Sequence, residues 1–307
     1  MVREIGVEEL NKLEPLIERY VNHMSDNGVT SETVKEQMKS GISGERTVVL
    51  IEENSEGDFQ GFLVINLKSD RIPIIFANWK FPIEKQLLDN AFEKLSQNNE
   101  QVSFESGYPT PWLTEELSSH AIELGFVRHE RAYMQLHPID KEIFSMYSIE
   151  DKFEFIPFER SMVQEVSKLV FECVDGTIDQ DLFPYVYGSI PRIEEFLNKF
   201  LDGAYGKHER FYSWVLRENG QNIGACFCFL MENEETAFLM HIVIHPDYRQ
   251  HGLGRAILCH SFNNLLRLSP TVTKIELAVT LSNPAKQLYD SLGFRTLNDA
   301  STFVWKR

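Results

Sequence analysis

Residues 248–254 read Tyr248-Arg249-Gln250-His251-Gly252-Leu253-Gly254, and they sit at a junction between two kinds of pattern. Upstream, 236–245 (Thr-Ala-Phe-Leu-Met-His-Ile-Val-Ile-His) is β-branched and apolar and bounded by turn formers, which predicts a strand. Pro246 and Asp247 end it. Downstream of Gly254, Leu258, Phe262, Leu265 and Leu266 fall on one helical face. The glycines therefore stand at a helix N-terminus, where unpaired N–H groups and the positive end of the dipole bind phosphate. Without a Cβ, glycine lets the backbone approach the oxygens. A dinucleotide loop requires a third glycine, where this chain has Ile257. A phosphate loop of the Gly-Lys-Ser/Thr type is also absent.

A second stretch follows, Asn283-Pro284-Ala285-Lys286-Gln287-Leu288-Tyr289-Asp290-Ser291-Leu292-Gly293-Phe294. Before it, 273–280 alternates with Ile275, Leu277 and Val279 on one face, a half-buried strand. Asn283 is placed to cap a helix, Pro284 to open it and Gly293 to end it. A final strand then runs through Phe303 and Trp305. Alone, Tyr289 reads first as an aromatic of an amphipathic helix buried against a sheet.

In this order, Arg249-x-x-Gly252-x-Gly254 and Asn283-x-Ala285-x-x-Leu288-Tyr289-x-x-x-Gly293-Phe294 resemble the two acyl-coenzyme-A motifs of the GNAT family of N-acetyltransferases. The resemblance covers about the last 155 residues. It implies a sheet splayed between its fourth and fifth strands, 236–244 and 273–280, with the pantetheine arm of acetyl-CoA paired to Ile242, Val243 and Ile244. The pyrophosphate would lie on Gln250, His251, Gly252, Leu253, Gly254 and Arg255, beside Arg249. Asn283 would contact the pantetheine, and Tyr289 would donate a proton to the leaving thiolate. The family's frequent strand-borne glutamate is missing here, which leaves His241 as the titrating candidate for the base. No metal is implied.

The same pattern occurs twice. Val2-Arg3-Glu4-Ile5 and a helix with Leu10, Leu13, Leu16, Ile17 and Tyr20 parallel Phe153-Glu154-Phe155-Ile156 and a helix with Val163, Val166, Leu169, Val170 and Cys173. The strand pair 46–54 and 60–67 parallels 211–219 and 222–229, and Leu124-Gly125-Phe126 parallels Leu292-Gly293-Phe294. The expected fold class is α/β (α+β): two tandem GNAT-like domains, each a mixed, mostly antiparallel sheet flanked by helices. The expected domains are a degenerate 1–140 and a cofactor-binding 151–307, joined by a linker near 138–151. In the first copy, Asn78-Trp79-Lys80-Phe81-Pro82-Ile83-Glu84-Lys85 offers no glycine, and Ala121 stands in the tyrosine's place. A tandem pair with one silent half resembles the layout of mycothiol synthase.

Between the first helix and second strand, the second copy carries an insertion spanning 175–207. Its Asp175, Asp179 and Asp181 suit an amine, and Phe183, Tyr185 and Tyr187 suit a pocket wall; Asp181 and Tyr185 are the substrate-binding candidates. A solvated loop anchored by buried aromatics fits the same composition. Net charge is −16, with 14 Lys/Arg against 26 Asp/Glu in 1–150 and 16 against 20 thereafter. That favours a small-molecule or peptide amine over nucleic acid or an anionic membrane. With 43% hydrophobic and 25% charged residues, no membrane-length apolar run and no N-terminal apolar segment, a cytoplasmic protein is expected. Cys173, Cys226, Cys228 and Cys259 form no Cys-x-x-Cys pair and read as reduced core residues. The reading is thus an acyltransferase moving acetyl from acetyl-CoA to a primary amine. Its rivals are a non-catalytic acyl-CoA-binding regulator and an acyltransferase with a different acyl donor.

Overall fold

A computed structural model of the chain describes residues 1–23, 30–69, 71–78, 80–105, 113–137 and 150–307; most of the expected linker and Trp79 lie outside them. In chain order the first repeat supplies β1 (Val2–Ile5), α1 (Leu10–His23), α2 (Ser31–Ser43), β2 (Thr47–Glu53), β3 (Phe59–Asn66), β4 (Arg71–Phe76), α3 (Phe81–Ser96), β5 (Gln101–Glu105), α4 (Glu115–Glu123) and β6 (Val127–Leu136). The second supplies β7 (Phe153–Pro157), α5 (Val163–Val174), α6 (Ile178–Leu182), α7 (Pro184–Tyr187), α8 (Ile190–Leu201), β8 (Trp214–Glu218), β9 (Gln221–Leu230), β10 (Thr236–Ile244), α9 (Leu253–Leu268), β11 (Lys274–Thr280), α10 (Ala285–Ser291) and β12 (Arg295–Lys306). The duplication is visible in this order, and α6 and α7 are the insertion. Where the composition of 175–191 also fitted a solvated loop, the chain folds into the short helices α6 and α7.

Packing divides the chain into one unit of Met1–Ala132 with Asn298–Arg307 and another of Tyr133–Leu297. These units do not coincide with the repeats 1–140 and 151–307. Residues Thr302 to Lys306 of β12 pair antiparallel with Glu105 to Gln101 of β5, so the last strand of the second repeat completes the first unit. Phe303 stacks on Phe104 with ring centroids 4.7 Å apart and planes 2° apart, and Phe303 is fully buried. Burying Phe303 and Val304 there contributes about 1.5–3 kcal/mol each. Reciprocally, Tyr133 to Leu136 of β6 belong to the second unit, whose strand order is β6-β11-β10-β9-β8-β7.

The apolar periodicity of α1 and α5 lands where expected: Leu10, Leu13, Leu16, Ile17 and Tyr20 in one core, Val163, Val166, Leu169, Val170 and Cys173 in the other. Helix α3 starts at Phe81, with Pro82 at home in its first turn. Strand β11 is buried on both faces rather than one. Glu276 is 5% exposed, which Gln135 Nε2 (2.7 Å) and Lys274 Nζ (3.1 Å) make tolerable.

Among the described residues, one parallel pairing has a resolved register in each unit, and each is short. β4 meets β5 only at Arg71–Ser103 and Ile72–Phe104. β10 meets β11 only from Thr236–Lys274 to Phe238–Glu276, and beyond Phe238 the two strands part. β10 stays paired to β9 as far as Ile244–Gly224, with a bulge between Leu239 and His241. A bulge bends its strand and increases local twist, which turns the rest of β10 away from β11.

Candidate active site

From Leu239 to Ile244, β10 has a neighbour on one side, β9, and no β11 pairing on the other. Parity along the strand divides the side chains. Val243 enters the core with α5 and α8, while Ile244 comes within 3.8 Å of where a Cβ on Gly254 would lie. The strand passes into a turn at Pro246–Tyr248 and then into two left-handed residues, Gln250 at φ 66° and Gly252 at φ 74°. Gln250 is a non-glycine in a region that costs energy, a mark of a loop whose shape is imposed by its surroundings.

Gly252 begins α9, and its carbonyl accepts from Ala256 N at 3.0 Å. No side chain caps this helix and its first turn holds no acidic residue. A Cβ on Gly254 would sit 3.3 Å from Leu288 Cδ2, so α10 packs against this turn at a distance suited to glycine. The result is an uncapped, positive helix end directly after the free edge of β10, which suits the phosphates and amide-rich arm of an acyl-CoA.

Arg249 is tied into the protein beside the loop. Its Nε donates to Ile244 O at 2.9 Å and its Nη2 to Cys173 O at 3.0 Å, so the guanidinium fastens the end of β10 to the end of α5. Arg255 Nη1 donates to Ser291 O and Oγ at 3.3 and 3.0 Å, joining α9 to α10. His251 is exposed; His245 lies 3.8 Å from carboxylate oxygens of both Glu172 and Asp247.

Tyr289, on α10, is 6% exposed. Burial first, then the nearby Cys226, Asp179 and Cys228, raise its phenol well above the usual range, so it stays protonated at every physiological pH. Asn283 caps α10 as expected, its Oδ1 accepting from Ala285 N at 2.9 Å. Its other end, which resemblance assigned to pantetheine, donates from Nδ2 to Asp179 Oδ2 at 2.8 Å. The inserted α6 is thereby fastened to the helix that carries Tyr289. Of the insertion's candidates, Asp181 is exposed and Tyr185 is half-buried, edge-on to Phe183 at 6.1 Å.

His241 directly follows the bulge. Its Nδ1 lies 3.2 Å from Tyr187 Oη, the rings stack with centroids 5.1 Å apart, and burial pulls the imidazole down to about 4. An imidazole so reluctant to take a proton is a poor general base near neutrality, which counts against the part expected of it. Sequence reasoning missed both the Asp179–Asn283 and Tyr187–His241 pairs. Each joins the insertion to a strand or helix far along the chain, and no local pattern marks such a contact. Among the described residues no cluster of His, Cys, Asp and Glu is arranged to hold a metal ion.

Comparison with known proteins agrees with this geometry. The family model for the acetyltransferase (GNAT) domain matches residues 209–296, which span β8 to the start of β12. The ribosomal protein bS18-alanine N-acetyltransferase of Escherichia coli K12 is 37% identical over 92 residues, and that of Shigella flexneri matches equally. The match takes in 30% of this chain and 60% of those proteins. A tandem GNAT protein from the clavulanic acid biosynthesis pathway superposes with a TM-score of 0.67 at 14% identity, covering 100% of this chain and 98% of its own. A GCN5-related N-acetyltransferase from Sphaerobacter thermophilus gives 0.71 at 12% identity, covering 100% and 95%. Residues 209–296 thus match a GNAT acetyltransferase domain. The chain as a whole has the tandem GNAT fold.

Proposed function

We propose that the protein is an N-acetyltransferase that moves an acetyl group from acetyl-CoA to a primary amine. The observation that carries this reading is the free edge of β10 running straight into the uncapped, glycine-bearing start of α9, with Tyr289 buried on the next helix. Amides of the 250–255 loop would hold the pyrophosphate, and Ile242, Val243 and Ile244 would pair with the pantetheine. Acetyl-CoA supplies an acyl group already activated as a thioester. Backbone N–H near Ile242 or Val243 would meet the oxyanion, and Tyr289 would protonate the departing sulfur. Solvent would take the amine's proton.

For the acceptor, the relative at 37% identity is named for an alanine of a ribosomal protein, which favours a peptide or protein amine. The acidic balance of the chain, −16 overall, fits a cationic acceptor. Asp181 and Tyr185 remain the proposed acceptor-side residues. Domains 1–140 and 151–307 are proposed as a repeat without cofactor chemistry and one that retains it. No described helix is long and apolar enough to cross a membrane.

Calorimetric titration with acetyl-CoA tests the reading. One site per chain, lost on a bulky substitution at Gly254 in a protein that still folds, would support it. No binding at millimolar ligand would refute it.

A further inference from the structure

His241 stands on the parted stretch of β10, yet it is a poor base. Its Nε2 is buried and has no hydrogen-bond partner among the described residues. Burying such a group unpaired is unfavourable, so the site is incomplete as it stands. Its other nitrogen is engaged by Tyr187, which is itself firmly held: 8% exposed, with its carbonyl reached by Gln180 Nε2 at 3.4 Å and its ring packed against Phe183 and Phe196.

A neutral imidazole has one N–H and one lone pair, and its partner decides which nitrogen has which. A phenol oxygen shares its lone pair with the ring, so Tyr187 is the better donor and Nδ1 the better acceptor. With the Tyr187 hydroxyl donating to Nδ1, the single ring proton sits on Nε2. We propose that Tyr187 fixes His241 as the Nε2–H tautomer and that His241 serves as a neutral hydrogen-bond donor to the acyl carbonyl oxygen of the thioester. This rests on the acetyltransferase reading and sharpens it.

No bond forms or breaks at His241. As the amine nitrogen adds to the carbonyl carbon, the carbonyl oxygen gains negative charge and the Nε2–H bond to it strengthens. As the carbon–sulfur bond breaks, the charge passes to sulfur, which takes a proton from Tyr289, while the amine's proton goes to solvent. A donor matched to developing charge acts on the transition state more than on the bound substrate. Tyr187 is a positioning residue that acts through His241.

The test is a long-range proton–nitrogen correlation spectrum of the full-length protein labelled with 15N-histidine, at neutral pH. His241 is assigned by the signal that disappears in His241→Ala. The expected pattern is a proton on Nε2 and a bare Nδ1, mixed with the other tautomer in Tyr187→Phe. Acetyl-CoA should move the Nε2–H resonance and coenzyme A, which lacks the acyl carbonyl, should not. In turnover, His241→Ala should lower kcat by about 10²-fold. His241→Gln, which keeps an N–H donor but no useful base, should recover much of that loss. A proton on Nδ1 overturns the proposal. So does a resonance indifferent to acetyl-CoA that calorimetry finds bound, an outcome that leaves the acetyltransferase reading standing. If acetyl-CoA does not bind at all, both fall together. Gln no better than Ala would also overturn it.

Discussion

Two helices, α3 and α9, each follow the fourth strand of their repeat, and their first turns are chemical opposites. α9 opens on left-handed Gly252, has no side-chain cap and holds no acidic residue in its first turn. α3 opens on Lys80 and Phe81, places Pro82 where an N–H would otherwise point outward, and buries Glu84 to 3% exposure in the same turn. Neither helix start has a side-chain cap, but a carboxylate at a helix N-terminus is the charge its dipole favours, and α3 holds one in the turn that α9 leaves without an acidic group. Both units nevertheless part their parallel strands after two or three residue pairs. The splay thus belongs to the fold, whereas the proposed anion site rests on a few residues at one helix start.

The sharpest way to break this contrast is at the glycines. Gly252→Val forces a β-branched residue to φ 74° in the loop assigned to pyrophosphate, and acetyl-CoA affinity should fall by at least about 100-fold in calorimetry. Lys80→Val at the corresponding start of α3 should leave the titration untouched; a drop there would mean that the first unit also binds. Next in size, Tyr289→Phe should lower kcat by about 10²–10⁴-fold while acetyl-CoA affinity stays nearly constant. Its mirror, Ala121→Tyr in the fully buried counterpart position, should confer nothing and destabilise by about 1–3 kcal/mol through overpacking, measurable by urea denaturation.

Acid should also separate the units. His208, His241 and His260, all in the second unit, are pulled by burial from 6.5 to about 4. The unfolded chain takes up protons at these sites as pH falls through 6.5, and the folded chain resists until about 4. Their stabilisation is therefore whole above pH 6.5 and lost between there and 4, about 2 kcal/mol by pH 5 for His241, the most deeply buried of the three, and less for the more solvent-screened His208 and His260. In the first unit, burial works against ionisation of Asp89, but hydrogen bonds from Lys85 and His120 outweigh it and lower its carboxyl, so its contribution is lost only at stronger acidity. Native-state hydrogen exchange at pH 7 and 5, corrected for intrinsic rates, should find protection falling in 133–297 and holding in 1–132. Equal loss in both would sink this account. The smallest effect lies in the caps. Asn283→Ala and Thr114→Ala, which caps α4 through Leu117 N at 3.2 Å, should each cost about 1 kcal/mol of stability. Only Asn283→Ala, by releasing Asp179 and the helix of Tyr289, should also reduce turnover.

Much of this was legible in one dimension. The 3.6-residue spacing of Leu10 to Tyr20 and of Val163 to Cys173 specifies helix faces, because a side chain's direction along a helix depends only on its position in the turn. The alternation and turn residues around 236–254 place Gly252 at a strand-to-helix junction for the same local reason. The Asn283 cap and the C-terminal glycines, Gly125 at φ 94° and Gly293 at φ 92°, likewise depend on neighbours a few residues away. The doubled pattern followed from reading those signals twice.

Only the tertiary structure decided which strand completes which unit, what Arg249 and Asn283 bond to, and how His241 is held. The alternation of residues 295–306 fits a pairing with any sheet edge, since ladder hydrogen bonds run between backbones and carry no residue identity. The choice of β5 comes from packing such as Phe303 on Phe104, residues far apart in the chain. Asp179 with Asn283 and Tyr187 with His241 are separated by 104 and 54 positions, and such polar pairs are selected by where burial leaves a donor facing an acceptor. Local sequence fixes which way a side chain points along its own element; what it meets there is set by the folding of everything else.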